Sequence, residues 1–554
     1  LLAVSEHELT HASQEVASVE QNASATEPLL DPTRWEFAGY SGGLDGLGNT
    51  HFIGVGGAGM SVLAEMLHED GIEVDGSDVL ASTKTERLQT LGIPVEIGQR
   101  RENVDNVDTV VWSSAIKQQN PELQAAYQQG KRLVHRSDIL ALLLSSHIGV
   151  TVAGAHGKTT TSALIAHILT HAGTGELADP SYAVGGTIQG PTGSLDGGHA
   201  GKGSVLVAEA DESDGSFCKY QPAIAVITNV EADHLDHYGD AQHFRAAFVE
   251  HAHHASEHVV ICADDEGALA VLRAMDPEAA RHAVAYSTQD QNSLGDVNGA
   301  HVARIQSESE QSESGEERFT LHLPADMLPD GRDADVRVTL QIPGLHNARN
   351  ASAAIITCTL LGLDPQQAAD AAQSFLGADR RFQLRGVIGG VSVVDDYSHH
   401  PTEIAALLDA ARRRYPNSTL RVLFQPHLFS RTEFFTQAFA ESLAKADDVM
   451  VTGIFPARER QEDFPQITAS VIVQAAEQLP HQPEHGWIHA VEDMNQAAMM
   501  LAMRANPGDV LFTVGAGDIT QVVPVILHAL EARGQGSHEL NDQISHKHTQ
   551  DKRL

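Results

Sequence analysis

The chain of 554 residues carries 74 acidic against 36 basic side chains, a formal net charge of −38, with 42% hydrophobic and 20% charged residues. One hydrophobic core does not normally grow to that length, so three or four domains are expected, and so negative a surface excludes general adhesion to nucleic acid or anionic membranes. No apolar run reaches the length of a bilayer-spanning helix, and Cys218, Cys262 and Cys358 lie far apart without metal-type spacing, which together point to a cytoplasmic protein with reduced thiols.

In chain order, residues 1–48 are polar and read as a flexible extension. "NTHFIGVGGAGMSVLAEMLHEDG" then reads as strand, glycine turn and helix, and "VDTVVWSSAI" (107–116) as a further buried strand, which makes 49–147 a parallel α/β domain. Gly54, Gly56 and Gly59 fit the spacing of a dinucleotide-type turn, with Asp78 about two dozen residues on. Such a turn holds a phosphate ligand without telling NAD from another nucleotide diphosphate, or serves packing alone.

The second block, 148–376, opens on "HIGVTVAGAHGKTTT", a strand feeding a phosphate-type loop that is unusually short. Only Ala155 and His156 stand between Gly154 and Gly157-Lys158. Backbone N–H groups of such a loop can hold phosphate oxygens, Lys158 supplies positive charge, and Thr159 can place a hydroxyl on Mg²⁺. The runs "SVLVAEADESD" (204–214) and "AIAVITNVEADHLD" (223–236) bring Glu209 and His234 to the same sheet edge. Glu209 reads as a metal carboxylate; His234, beside Asp233 and Asp236, reads as a metal-side group or as a hydrogen-bonded histidine at a helix start. The stretch "GGTIQGPTGSLDGGHAGKG" (185–203) reads as a mobile loop, "HAHHASEH" (251–258) as a wet helix face, and the acidic 306–317 as a solvated loop.

"GLHNARNASAA" (344–354) sets His346, Asn347 and Asn350 at a helix start, suited to a base or ribose or to capping. Arg380 and Arg381 in "DRRFQ" suit phosphate or form a solvated pair. The third block, 377–533, again alternates strands ("VSVVDDY", "RVLFQPH", "DDVMVTGIFP", "GDVLFTVGAG") with amphipathic helices. Its strand ends carry Asp396, Tyr397, His399, His400, His427 and Arg431, and Arg431 can clamp a carboxylate. Residues 534–554 read as a flexible tail.

Taken together, "HFIGVGGAGMS", "GAHGKTTT", "AEADESD", "TNVEADHLD", "HNARNA", "DDYSHHPTE", "FQPHLFSRT" and "GAGDI", in this order from about residue 49 to 530, resemble the Mur ligases, and most closely those that act on L-alanine. The resemblance implies three α/β domains: an N-terminal Rossmann-like domain, a central P-loop ATP-binding sheet and a C-terminal Rossmann-like domain. It implies an ATP- and Mg²⁺-dependent ligase that joins L-alanine to the lactyl carboxylate of UDP-N-acetylmuramate through an acyl phosphate, in peptidoglycan precursor synthesis. It implies no nucleic-acid or membrane partner, and leaves monomer and homodimer open.

By the same resemblance, Gly54, Gly56, Gly57, Gly59, Asp78 and Ser113 meet the UDP-sugar. Gly154, Ala155, His156, Gly157, Lys158, Thr159 and Thr160, with His346, Asn347, Asn350 and Arg381, meet ATP. Thr159, Glu209 and His234 hold metal, Tyr397, His399, His427 and Arg431 form the amino-acid pocket, and Lys158, His399 and Arg431 act in catalysis. The chain departs from the usual family pattern at Ala155 (usually Thr), Ser398 (usually Gly) and Leu428 (usually an Arg that helps hold the amino acid). Three other readings compete: a ligase attaching a preformed peptide to the same sugar, an NAD(P)-dependent oxidoreductase built on "GVGGAG", and a nucleotide-switched binding module.

Overall fold

The computed structural model describes residues 30–533, apart from 38–41, 192, 232–234, 309–315, 458, 481–482 and 484–485. His234 and the tail 534–554 therefore lie outside the described residues. Three parallel-rich sheets carry the chain.

The first sheet is five-stranded and parallel, with Thr50–Ile53 at its centre between Val74–Asp78 and Thr109–Trp112, and Val95–Ile97 and Arg132–His135 at its edges. Strand order reverses beside Thr50–Ile53, and the crevice at the carboxyl ends there is where such sheets hold ligands. Within the stretch read as an extension, Phe37 and Leu47 are buried, and Leu47 O accepts from Thr109 Oγ1 at 2.6 Å. The packed body thus begins before residue 49.

The second sheet has ten strands, with Ile148–Ala153 between Val205–Glu209 and Ile224–Ile227. All three are covered on both faces, which is why they read as unbroken apolar runs. His301–Ser307, Glu317–Leu323 and Ala334–Leu340 end the sheet as an antiparallel meander, so the acidic segment connects two paired strands. Helix Lys158–Ala172 packs against Leu345–Leu360 and Pro365–Ala372 and is buried nearly all round from Thr160 to Leu169.

Two sequence readings change here. The glycine-rich 185–203 segment contains Ile188–Gly190 and Gly193–Leu195, which with Gly377–Ala378 make a three-stranded sheet, and Gly198–His199, which joins the ten-stranded one. Its glycines permit close backbone approach: a Cβ on Gly201 would stand 2.0 Å from Asp179 O. In the histidine-rich segment, His251 is fully buried on the inner side of its helix with Phe244 and Phe248, and its Nε2 lies 3.1 Å from Thr151 Oγ1.

The third sheet runs Gln383–Ile388, Val391–Asp396, Val510–Val514, Leu420–Phe424, Asp448–Val451 and Ile488–Ala490, antiparallel only at the first pairing. Two buried contacts tie the domains. Lys219 Nζ donates to Asp138 Oδ1 at 2.8 Å, joining the second domain to the first. Glu317 accepts from Arg413 Nη2 at 2.9 Å and from Gly344 N at 2.9 Å, joining the third domain to the start of helix Leu345–Leu360.

Candidate functional site

The short loop leaves Ala153 and turns over Gly154 (φ +139°) and Gly157 (φ +82°) before Lys158 begins its helix. Both glycines are required by close neighbours as well as by φ: a Cβ would come within 2.2 Å of Thr228 Oγ1 at Gly154, and 2.7 Å of Asn350 Oδ1 at Gly157. Thr228 and Asn229, at the end of the adjacent strand, hold the loop's shape. His156 O accepts from Thr228 Oγ1 at 2.6 Å and Asn229 Nδ2 at 2.7 Å, while His156 N donates to Asn229 Oδ1 at 2.9 Å. Neither residue stands out as a site residue in the sequence; the only signal is their place at a strand tip.

Lys158 Nζ donates to Gly154 O at 2.6 Å and lies 3.0 and 2.9 Å from the two oxygens of Glu212. Burial opposes the ammonium, but the charges of Glu212 and Asp211 outweigh it and raise its pKa. Glu209 Oε1 accepts from Gly185 N at 2.7 Å. The Ser162 hydroxyl donates to Lys158 O at 2.7 Å, and its oxygen lies 3.4 Å from both Thr159 O and Glu209 Oε1, so the helix turn that carries Thr159 stands against the carboxylate. A hydroxyl and a carboxylate at one strand-end edge are the hard oxygen donors that Mg²⁺ prefers; these residues fit that ion.

Between the loop and the third domain lies a cavity of about 240 Å³. His156, Gly157, Thr160, His346, Asn347 and Asn350 line one side, and Arg381, Ser398, Thr402 and Glu403 the other. Cys262, Tyr286 and Ile342 add an apolar part to its lining. Burial, and then the charges of Arg349 and Arg381, push the His346 pKa down to about 4, so its ring is neutral. Asn347 Nδ2 donates to Pro343 O at 2.7 Å, a local cap. Arg349, absent from the sequence expectations, pairs with Asp264 at 2.7 Å, and both line the cavity. The Arg380 guanidinium is engaged by Gly515 O at 2.6 Å and Asp395 at 3.2 Å.

Beyond Arg381 the ends of Val391–Asp396 and Leu420–Phe424 bring the amino-acid candidates together. Arg381 lies over the Tyr397 ring at 5.3 Å, the Tyr397 and His399 rings are 5.4 Å apart, and those of His399 and His427 5.8 Å. Arg431 Nη1 is 3.5 Å from His427 Nδ1. Burial pushes His399 down to about 4, with Glu403 opposing and Arg431 assisting; its imidazole is neutral. Leu428 is buried at φ +69°, with its N–H on Phe455 O at 2.9 Å. It supplies no cation, and the guanidiniums near this cluster are those of Arg380, Arg381 and Arg431. The Ser398 hydroxyl and N–H both donate to Asp396 Oδ1.

In the first domain Gly54 turns at φ +75°, and Gly56 N donates to Asp78 Oδ2 at 2.9 Å. Gly57 precedes helix Ala58–Glu69, and the Arg136 guanidinium lies 3.8 Å from where a Gly59 Cβ would stand. Ser113 O accepts from Ile116 N at 2.9 Å. Its neighbour Ser114 reaches His135 Nε2 at 3.2 Å and, across the domain boundary, Asp214 at 3.3 Å. Arg136 faces Asp211 at 3.9 Å, so this crevice opens towards the strand end that bears Glu209. Neither Ser114 nor Arg136 is marked by a sequence motif.

The model of the Mur ligase family catalytic domain matches residues 49–147, that of the Mur ligase middle domain 152–358, and that of the Mur ligase glutamate ligase domain 380–517. The chain is 65% identical over 505 residues to a UDP-N-acetylmuramate--L-alanine ligase of Bifidobacterium adolescentis, covering 91% of this chain and 96% of that protein. It is 42% identical over 498 residues to a protein of the same name from Renibacterium salmoninarum, covering 89% and 98%. Among solved structures, a UDP-N-acetylmuramate-alanine ligase from Thermotoga maritima matches with a TM-score of 0.64 at 27% identity, covering 88% of this chain and 99% of that one. A murein peptide ligase from Psychrobacter arcticus, TM-score 0.59 at 24% identity, shares the fold.

Proposed function

The chain belongs to the Mur ligase family, and from that premise we propose that it joins L-alanine to the lactyl carboxylate of UDP-N-acetylmuramate at the expense of ATP, a step of peptidoglycan precursor synthesis in the cytoplasm. The observation that carries this reading is one cavity with the phosphate-type loop on one wall and the Tyr397–His399–Arg381 cluster beside the other. A phosphoryl donor and an amine acceptor bound there are neighbours. No helix among the described residues is long and apolar enough to cross a membrane.

A carboxylate oxygen is a poor leaving group. One lactyl oxygen therefore takes the γ-phosphoryl group of ATP, giving an acyl phosphate and ADP; the alanine amine attacks the acyl carbon, and phosphate departs with that oxygen. Little covalent chemistry falls to the protein, whose work is alignment and charge. Loop N–H groups and Lys158 take the phosphates, with Lys158 giving up its contact to Glu212. Asn347, Asn350 and His346 border the base and ribose. The Gly54–Gly59 turn with Arg136 takes the UDP diphosphate. Arg431 pairs with the alanine carboxylate, and neutral His399 can accept the proton that the ammonium must lose before attack. Thr159 and Glu209 would hold Mg²⁺, which when bound offsets phosphate charge.

Phosphate release tests the reading. It should require ATP, UDP-N-acetylmuramate and L-alanine together. Equal release without the amino acid would make the chain a nucleotide switch, and selective stimulation by a preformed peptide would make it the peptide-attaching ligase.

A further inference from the structure

Glu403 lies where the nucleotide loop, the inter-domain arginine and the amino-acid cluster meet. It sits in the first turn of helix Pro401–Arg414, its side chain 8% exposed. Its two oxygens face different partners. Oε1 lies 3.3 Å from His156 Nδ1 and 3.5 Å from Arg381 Nη1, both of which border the nucleotide cavity. Oε2 accepts from His399 N at 3.0 Å and His400 N at 3.3 Å, and lies 3.3 Å from His399 Nδ1. Burial opposes its charge, but His399, His156 and Arg381 around it hold the carboxylate well below its usual range, so it stays ionised.

A carboxylate is a planar fork, and drawing on one oxygen turns the other. Phosphates that attract His156 and Arg381 pull at Oε1 and thereby move Oε2, which orients the backbone and ring of His399. The surroundings are built to transmit this. The His156 backbone is pinned by Asn229, its Nε2 lies 3.0 Å from Glu231, and the other Glu231 oxygen accepts from Thr402 Oγ1 at 2.8 Å. The loop cannot shift without drawing on the helix start that carries Glu403. We propose that Glu403 is a positioning residue that couples filling of the nucleotide site to assembly of the amino-acid pocket around His399. This rests on the substrate assignment above and adds to it the residue that carries the coupling.

The test is equilibrium binding of L-alanine to the full chain with UDP-N-acetylmuramate, with and without an unhydrolysable ATP analogue. In the unaltered protein the analogue should tighten L-alanine by about tenfold. In Glu403→Gln, which keeps shape and one acceptor, and in Glu403→Asp, which keeps the charge at the helix start but cannot reach both sides, the tightening should fall below about threefold. His156→Gln should lose as much, and the double variant His156→Gln/Glu403→Gln no more than either single one. A role confined to capping the helix would instead let Asp restore tightening. Retained tightening in either Glu403 variant, or additive losses in the double variant, overturns the proposal alone. No L-alanine binding by the unaltered protein in any state overturns the substrate assignment and this inference with it.

Discussion

Replacing Lys158 by methionine removes a charge that the fold uses before any nucleotide arrives. Both oxygens of Glu212 lie on Lys158 Nζ, and the Glu212 side chain is 2% exposed. Burial already pushes the Glu212 carboxyl up while Lys158 pulls it down. Without the ammonium the carboxylate is a buried charge beside Asp211, and breaking a buried pair from one side costs about 3–5 kcal/mol. For a domain of this size that lowers the melting midpoint by roughly 6–20 °C. Lys158→Met/Glu212→Gln removes the stranded charge and should regain most of the loss, yet neither variant should turn over substrate. Calorimetry of the three proteins, without ligand, reads the midpoints. An unchanged midpoint in Lys158→Met, or a double variant no better than the single one, would refute the reasoning that Glu212 holds Lys158 in place.

Gly157→Ala puts a side chain at φ +82° with its Cβ 2.7 Å from Asn350 Oδ1; strain of about 1–2 kcal/mol and the displaced amide should raise the KM for ATP at least about tenfold, and unchanged steady-state kinetics would contradict it. Stability should also fall at alkaline pH through His51. Burial opposes its charge, but Asp75 at 2.5 Å and Glu122 at 3.7 Å raise its pKa to about 9. A pKa raised on folding stabilises fully below about 6.5 and is lost as pH climbs through the folded value, so about 3 kcal/mol should go between those limits. Urea midpoints of the unaltered protein and His51→Gln should converge towards pH 9.5; parallel pH profiles would show that His51 contributes nothing.

What the sequence reveals is what strand ends and turns determine locally. Gly154, Gly157 and Lys158 announce themselves because a left-handed turn before a helix demands glycine, and Glu209, Tyr397 and His427 because apolar runs stop beside them. The partners that shape these residues lie far along the chain. Asn229 meets His156 from 73 residues away, and Arg349 meets Asp264 from 85. Glu403, which the sequence does not single out, meets His156 only once two domains are packed. Composition misled twice for a physical reason. Glycines at 185–203 suggest a loose loop, although absent side chains also let strands pack closely. The histidines at 251–258 suggest a wet face, although helical periodicity turns His251 inward with Phe244 and Phe248. Leu428 tells the reverse: the missing arginine is visible in the sequence, and the structure places Arg381 and Arg431 around the same cluster.

Activation of the sugar carboxylate by phosphorylation, in the cavity between the loop and the third domain, leaves a record in that carboxylate's oxygens. UDP-N-acetylmuramate labelled with ¹⁸O in both lactyl carboxylate oxygens, turned over with ATP and L-alanine, tests it most directly. One label should appear in inorganic phosphate for each amide formed, with the other retained in the amide carbonyl. Amide formed with unlabelled phosphate, the departing label going to water, would show that no acyl phosphate forms.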